Sequence, residues 1–390
     1  MRDERVSRST RHLDQVDLVR LLAFTAVIAV HSVDFTQTNA SQLAAGTLML
    51  LQFGRAVFFA LTGFVLVYAT KERPLDTPSF WRRRFPYVLV PYLAWSVIYY
   101  VFGILTSGWP PFTLSAFYGH VEYGDAGYHL YFLLVTLQLY LVFPLVLRFV
   151  RATRHQVWLV IGIVGVADLV WQAMLQYGQA PGNWVDWFWI HGYELLPTYA
   201  IYVLVGCYAA LHLDRLNDVV RRRGGWLVAA GVAGLVVGEV AYALQLGGQA
   251  PRAAGGPVQP AMVVVSLGAL VLLYVACTRW ADRGAPGRGL VARGSDLSFG
   301  IYLAHPFVLT ILLMNGLASD DQHVPALVAA VVAFVLTAVG ATVVSILARQ
   351  TSLSLPLTGR PRRRLAERPS SASAQAVSRP LAPSTGTIAP

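Results

Sequence analysis

Cysteine and lysine are almost missing from this 390-residue chain, and charge of either sign is scarce. The two cysteines, Cys207 and Cys277, each sit inside an apolar run. That excludes a disulfide framework, and no metal-ligand spacing surrounds them. Lys71 is the only lysine; every other basic side chain is arginine, a bias that points to a GC-rich, bacterial coding sequence. Charged residues make up 13% of the chain, about half of what a soluble domain carries. The N-terminus has the arginines of a signal peptide but an apolar run too long for one, and no small-residue cleavage site follows. A retained first span is the expectation.

What is present is apolar sequence: 56% hydrophobic residues and a mean hydropathy of +0.54. Runs long enough to cross a bilayer fall near 17–36, 47–69, 86–106, 129–149, 157–177, 196–212, 226–246, 258–279, 297–316 and 324–348. The fold class expected is therefore all-α, a polytopic transmembrane bundle of about ten spans. A net charge of +10 would suit a nucleic-acid partner, but the positions of the charges exclude that reading. All 30 basic residues except Arg20, Arg55 and Arg252 fall on one set of alternate loops and on the two termini. The positive-inside rule makes that side cytoplasmic, with both termini there. Residues 1–16 read as a cytoplasmic arm, 17–349 as the membrane domain and 350–390 as a disordered cytoplasmic tail poor in core-forming residues. No internal repeat is visible. Around 178–196, Trp184, Trp187, Trp189 and Tyr193 suit either an interfacial aromatic belt or stacking on a sugar acceptor.

Asp17-Leu-Val-Arg20 opens the first apolar run, which closes on His31. Eleven residues of helix put Arg20 and His31 roughly 16 Å apart along the axis and within about 20° of one face. Ionisable groups so placed in a membrane helix mark a working site by default. Arg20 suits an anionic donor at the cytoplasmic end, and His31 suits a base. Asp34, three residues on, could orient the imidazole or be a solvated interfacial acid. Arg55 lies on the side poor in basic residues, so it calls for an acidic partner, with Asp168 and Glu239 as candidates, or an acceptor to grip.

Five stretches then occur in order: Asp17 to His31; Phe58-Phe-Ala-Leu-Thr-Gly-Phe64; Phe80-Trp-Arg-Arg-Arg-Phe-Pro-Tyr-Val-Leu-Val-Pro-Tyr92; Tyr128-His-Leu-Tyr-Phe132; and Leu297-Ser-Phe-Gly-Ile-Tyr-Leu-Ala-His-Pro306. Together they resemble acyltransferase family 3, integral membrane proteins that acylate sugars and other acceptors. Two departures stand out: Thr62 replaces a serine, and Phe85 stands where a second arginine often follows Arg82 by three. The resemblance implies transfer of an acyl group, acetyl from cytoplasmic acetyl-CoA foremost, to a hydroxyl of a sugar, envelope glycan or glycosylated small molecule at the inner membrane. Taken with the placement of the residues, it puts His31 and Asp34 in catalysis, Arg20 with Arg82, Arg83 and Arg84 on the acyl-CoA, and Arg55, His129, Glu239 and His305 on the acceptor, with no metal. The alternatives are a transporter or flippase of a lipid-linked sugar, and a non-catalytic assembly subunit. A transporter would not need His31 as a base, and a subunit that had lost its chemistry would not need to keep both Arg20 and His31.

Overall fold

Sixteen α-helices, two short 3-10 turns, one π turn and no strand occur among the described residues of a computed structural model, which are 12–37, 41–71, 74–179, 182, 184–317 and 325–362. In chain order the α-helices are α1 (Asp14–Thr36), α2 (Gln42–Leu51), α3 (Gly54–Thr70), α4 (Thr77–Arg84), α5 (Pro86–Thr106), α6 (Leu114–Tyr123), α7 (Tyr131–Ala152) and α8 (Val157–Tyr177). Then follow α9 (Asp186–His191), α10 (Ala200–Leu211), α11 (Leu213–Gln245), α12 (Pro251–Ala254), α13 (Pro260–Asp282), α14 (Arg288–Leu312), α15 (Ala326–Ala348) and α16 (Ser354–Thr358).

Among the described residues, nine helical stretches are long and apolar enough to cross a membrane, and ten if a bent pair counts as one span. The bent pair is the short sixth run: its segments, Asp186–Glu194 and Leu196–Leu211, meet at 47°. Pro197 lies at that break. The second span is interrupted as well, since α2 and α3 are separated at Gln52 and Phe53. Two domain boundaries also shift. α1 begins at Asp14, inside the expected arm, because Asp14 and Asp17 in its first turn complement the positive end of the helix dipole. Residues 350–362 are folded rather than tail-like, because α16 buries Ser354 and Thr358. The rest of the expected arm and tail, residues 1–11 and 363–390, lies outside the described residues.

α3, with Phe59, Ala60 and Val67 buried, is central. α8 turns Trp158, Leu159, Ile163 and Val166 outward. Lipid gives apolar side chains no reason to leave it, so helix contacts rest on close packing of small residues. At the crossing of α3 and α10, Gly206 lies directly on the Ala60 backbone, and Gly63 lies against the Val203 carbonyl. A Cβ at either position would collide with main chain.

Prolines inside α7 and α14 each remove the N–H that would bond the carbonyl four residues back. In α7, Pro144 releases the Tyr140 carbonyl, and the Trp81 indole of α4 donates to it at 2.9 Å. In α14, Pro306 releases the Tyr302 carbonyl, and His305 Nδ1 lies 2.6 Å from it. Tyr99 of α5 closes the same break: its hydroxyl donates to the Leu303 carbonyl at 2.8 Å and accepts from the Phe307 N–H at 3.1 Å.

The α3–α10 contact makes a direct expectation. Gly206→Ala lowers stability by about 2 kcal/mol or more, the usual cost of overpacking. Gly162→Ala, at a position on α8 with nothing near its Cβ, does not lower it. Thermal unfolding of the detergent-solubilised protein checks this, and equal melting temperatures for the two variants would refute the close-packing account.

Candidate functional site

Several elements converge at the His31 end of α1 to form a cavity of about 350 Å³. α1 brings His31 and Asp34, the first turn of α3 brings Arg55, the entry to α7 brings Tyr128 and His129, the segment after α12 brings Pro257, and α14 brings Tyr302. Each placement has a local cause. The α2–α3 break puts Arg55 in a first helical turn, where its side chain reaches across to the Tyr131 hydroxyl at 3.2 Å and the Pro257 carbonyl at 2.8 Å. The Tyr302 hydroxyl donates to the His129 carbonyl at 2.7 Å and so fixes the turn that leads into α7.

Two imidazoles, His31 and His129, line the cavity, and a third, that of His305, packs against both. The His31 ring lies 4.6 Å from the Tyr128 ring and 5.4 Å from that of His305. His129 lies 5.5 Å from His305 and packs edge-on against Tyr99 and Tyr302. His129 and His305 are buried, at 3% and 0% exposure, while His31 is half-buried. A carbonyl can only accept, so His305 must carry its proton on Nδ1 to bond Tyr302. Its Nε2 is left as a lone pair with no hydrogen-bond partner, and neither nitrogen of His129 has one. Among the described residues, no group of three or more His, Cys, Asp or Glu side chains could hold a metal ion.

The acids sit elsewhere than beside the bases. Asp34 pairs with Arg252 at 3.0 Å, tying the end of α1 to α12 at the cavity rim; no hydrogen bond joins it to His31. Of the candidate partners for Arg55, Asp168 bonds Gln172 at 3.2 Å. Glu239 sits against Gly46 and Tyr242 on the α2 side and does not line the cavity. Arg55 is held by a phenol and a carbonyl because the α2–α3 break and the segment after α12 place those groups nearest. Thr62 donates its hydroxyl to the Phe58 carbonyl of its own helix. Of the aromatic segment, Tyr193 reaches the cavity, whereas Trp184 is 78% exposed.

At the other end of α1, Arg20 Nη1 bonds Ser295 Oγ at 2.9 Å and lies 3.4 Å from Asp17 Oδ1. Ser295 donates to the same Asp17 oxygen at 2.7 Å. Arg82, Arg83 and Arg84 occupy the last turn of α4, where cations complement the helix dipole. Arg82 and Arg83 are exposed and Arg84 is half-buried, interacting with Tyr140. Sequence reasoning passed over Tyr99, Tyr302 and Ser295. The signal for Tyr99 was Pro306, which disturbs the α14 ladder where Tyr99 bridges the Leu303 carbonyl and the Phe307 N–H; nothing local marked the contact of Tyr302 or that of Ser295.

A family model described as an acyltransferase domain matches residues 13–349. Nodulation protein 10 of Rhizobium leguminosarum bv. viciae is 26% identical over 343 residues, covering 79% of this chain and 86% of that protein. No solved structure matches.

The rim ion pair and the graded burial of the histidines give a chemical expectation. Diethyl pyrocarbonate modifies His31 before His129 or His305, and Arg252→Ala speeds the His31 reaction several-fold. Peptide mass spectrometry reads both; earlier modification of His129 or His305, or an unchanged His31 rate in the variant, would sink this account of the cavity.

Proposed function

The chain belongs to acyltransferase family 3, and from that premise we propose that it moves an acyl group, acetyl from acetyl-CoA foremost, to a hydroxyl of a sugar, envelope glycan or glycosylated small molecule. It is a membrane-spanning acyltransferase; the donor, the acceptor and the setting are our reading. The setting is the inner membrane of a bacterium, with both termini cytoplasmic. The observation that carries the reading is the pairing along α1: an imidazole in a cavity of ligand size at one end and a half-buried guanidinium at the other.

In this reading the acceptor enters the His31 cavity and the donor approaches from the Arg20 end. His31 takes the proton of the acceptor hydroxyl as its oxygen attacks the thioester carbonyl. The tetrahedral intermediate collapses, the C–S bond breaks, and the imidazolium returns the proton to the leaving thiolate. Arg55 stands beside the cavity as a cation for the oxyanion or for an acceptor hydroxyl. With Asp34 engaged by Arg252, His305 is the neighbour that orients His31. Its Nε2 offers only a lone pair, which favours turning an N–H of His31 towards it and the free lone pair towards the acceptor. His129 supplies further polar lining. Arg20 and the α4 arginines meet the donor's phosphates.

His31→Ala and Arg20→Ala, given radiolabelled acetyl-CoA and a crude pool of envelope glycans and glycosides, test this. His31→Ala loses transfer by at least about 100-fold, as loss of a general base does. Arg20→Ala raises the KM for donor. Normal transfer by a folded His31→Ala refutes the base assignment. A wild type that transfers no acyl group from any acyl-CoA refutes the donor assignment.

A further inference from the structure

Residues 350–362 lie beyond the stretch matched by the family model, yet they are built into the bundle. After α15 the chain turns back, and α16 docks on α5: the Trp95 indole donates to the Leu357 carbonyl at 3.1 Å. Thr358 packs on Gly300 of α14, and Ser354 Oγ donates to the Arg360 carbonyl at 2.8 Å. Gly359 closes this strap with φ of +62°, between Phe299 and the Tyr87 carbonyl. A side chain there would face both strain and collision.

The strap aims Arg360 at α14. Its Nε lies 3.8 Å from Asp296 Oδ1, while Arg349, from the end of α15, reaches the other oxygen of that carboxylate at 3.2 Å. The Arg349 side chain is only 12% exposed, and its Nε and Nη1 have no hydrogen-bond partner. Asp296 follows Ser295, the residue that holds Arg20. Arg84 interacts with Tyr140, and Tyr140 is also within electrostatic reach of Arg20 and Arg360. Four guanidinium groups thus gather where Asp17 and Asp296 supply two carboxylates. Unused, buried guanidinium donors beside an excess of positive charge suit a multiply charged anion with planar oxygen faces.

We propose that the α16 strap completes a polyphosphate-binding bay, in which Arg349 and Arg360 join Arg20 and Arg84 to take the phosphates of the acyl donor's nucleotide. This rests on the thioester-donor reading above and adds Arg349, the last residue of the family match, and Arg360, which lies beyond it. Each strap contact has a part in it: Trp95 and Gly359 set the turn, and the turn sets Arg360. Headgroup phosphates of anionic lipids carry the same chemistry and are the competing source.

The test is binding of CoA and of pantetheine to the purified full-length protein in nanodiscs of zwitterionic lipid, by calorimetry. Arg360→Ala weakens CoA about tenfold, the loss expected of one charge-assisted contact worth about 1.4 kcal/mol, and leaves pantetheine, which lacks the nucleotide, as in wild type. Arg360→Lys recovers part of the loss. Arg349→Gln, with a melting temperature taken alongside, weakens CoA in the same selective way. Equal weakening of pantetheine would make the strap merely structural and overturn the proposal, as would unchanged CoA affinity in both variants. Adding phosphatidylglycerol discriminates the lipid source. If that lipid binds wild type more tightly than it binds Arg360→Ala while CoA affinity is equal in the two, the bay belongs to headgroups and the proposal falls. The donor reading fails separately, when wild type binds CoA with this arginine dependence but transfers no acyl group from it.

Discussion

The carbonyl of Tyr302 has no helical partner, and the arrangement of the cavity depends on how that debt is met. Inside a bilayer a main-chain oxygen has little water to turn to, so a carbonyl freed by a proline in a spanning helix gains from a donor on a nearby side chain. The carbonyl freed by Pro306 is met by His305 from within the same turn, and the next rung of the ladder by Tyr99 from α5, which bridges the Leu303 carbonyl and the Phe307 N–H. The first answer fixes the tautomer of His305. The second locks α5 to α14 and presses Tyr99 against His129. The hydroxyl of Tyr302 then holds the turn ahead of α7. One missing N–H therefore organises three helices and two of the three imidazoles. The same device at Pro144, answered by Trp81, anchors α4 and so positions the arginines at its end.

Much of the fold was legible, because the apolar runs are long and their ends are marked by charge. The places where the reading slipped share one cause: a hydropathy run says that a segment belongs in lipid, not that its helix is continuous. The backbone bends by 47° before Leu196, and Gln52 and Phe53 interrupt the second span, while both sequences stay apolar. The second break is the informative one, since the helix that starts after it carries Arg55 in its first turn. Residues 350–362 were misjudged for the opposite reason. Their composition looks like a tail, but a five-residue helix that is buried at two positions and capped by a left-handed glycine needs little hydrophobicity to dock.

Single residues on α1 could be placed from spacing alone, because a helix has one period. Their partners could not, because partnership is a property of neighbouring helices. Asp34 sits one turn from His31, close enough for sequence reasoning to pair them, yet Arg252 claims it from more than 200 positions away. The competition is decided by charge. A carboxylate gains more from a guanidinium than from a neutral imidazole, and at the rim both ionic partners keep some contact with water. With Asp34 engaged elsewhere, the three imidazoles keep company with aromatic rings, carbonyls and one another, and Arg55 is the cation within electrostatic reach of His31.

The two ends of α1 differ in what they ask of a ligand. The Arg20 end collects guanidinium groups and so selects negative charge; the His31 end offers lone pairs, phenols and one arginine held by neutral groups. Between them Leu21 to Val30 carries no charged side chain. A phosphate could not pass along that stretch without losing its hydration to apolar walls, at a cost that membranes rarely tolerate. A neutral thioester arm has no such penalty. If the donor is held by its phosphates at one end, only its uncharged arm can reach a base eleven residues further along. The distance between Arg20 and His31 then sets a length that the arm must match, and makes the separation of the two ends a condition of the transfer rather than an accident of packing.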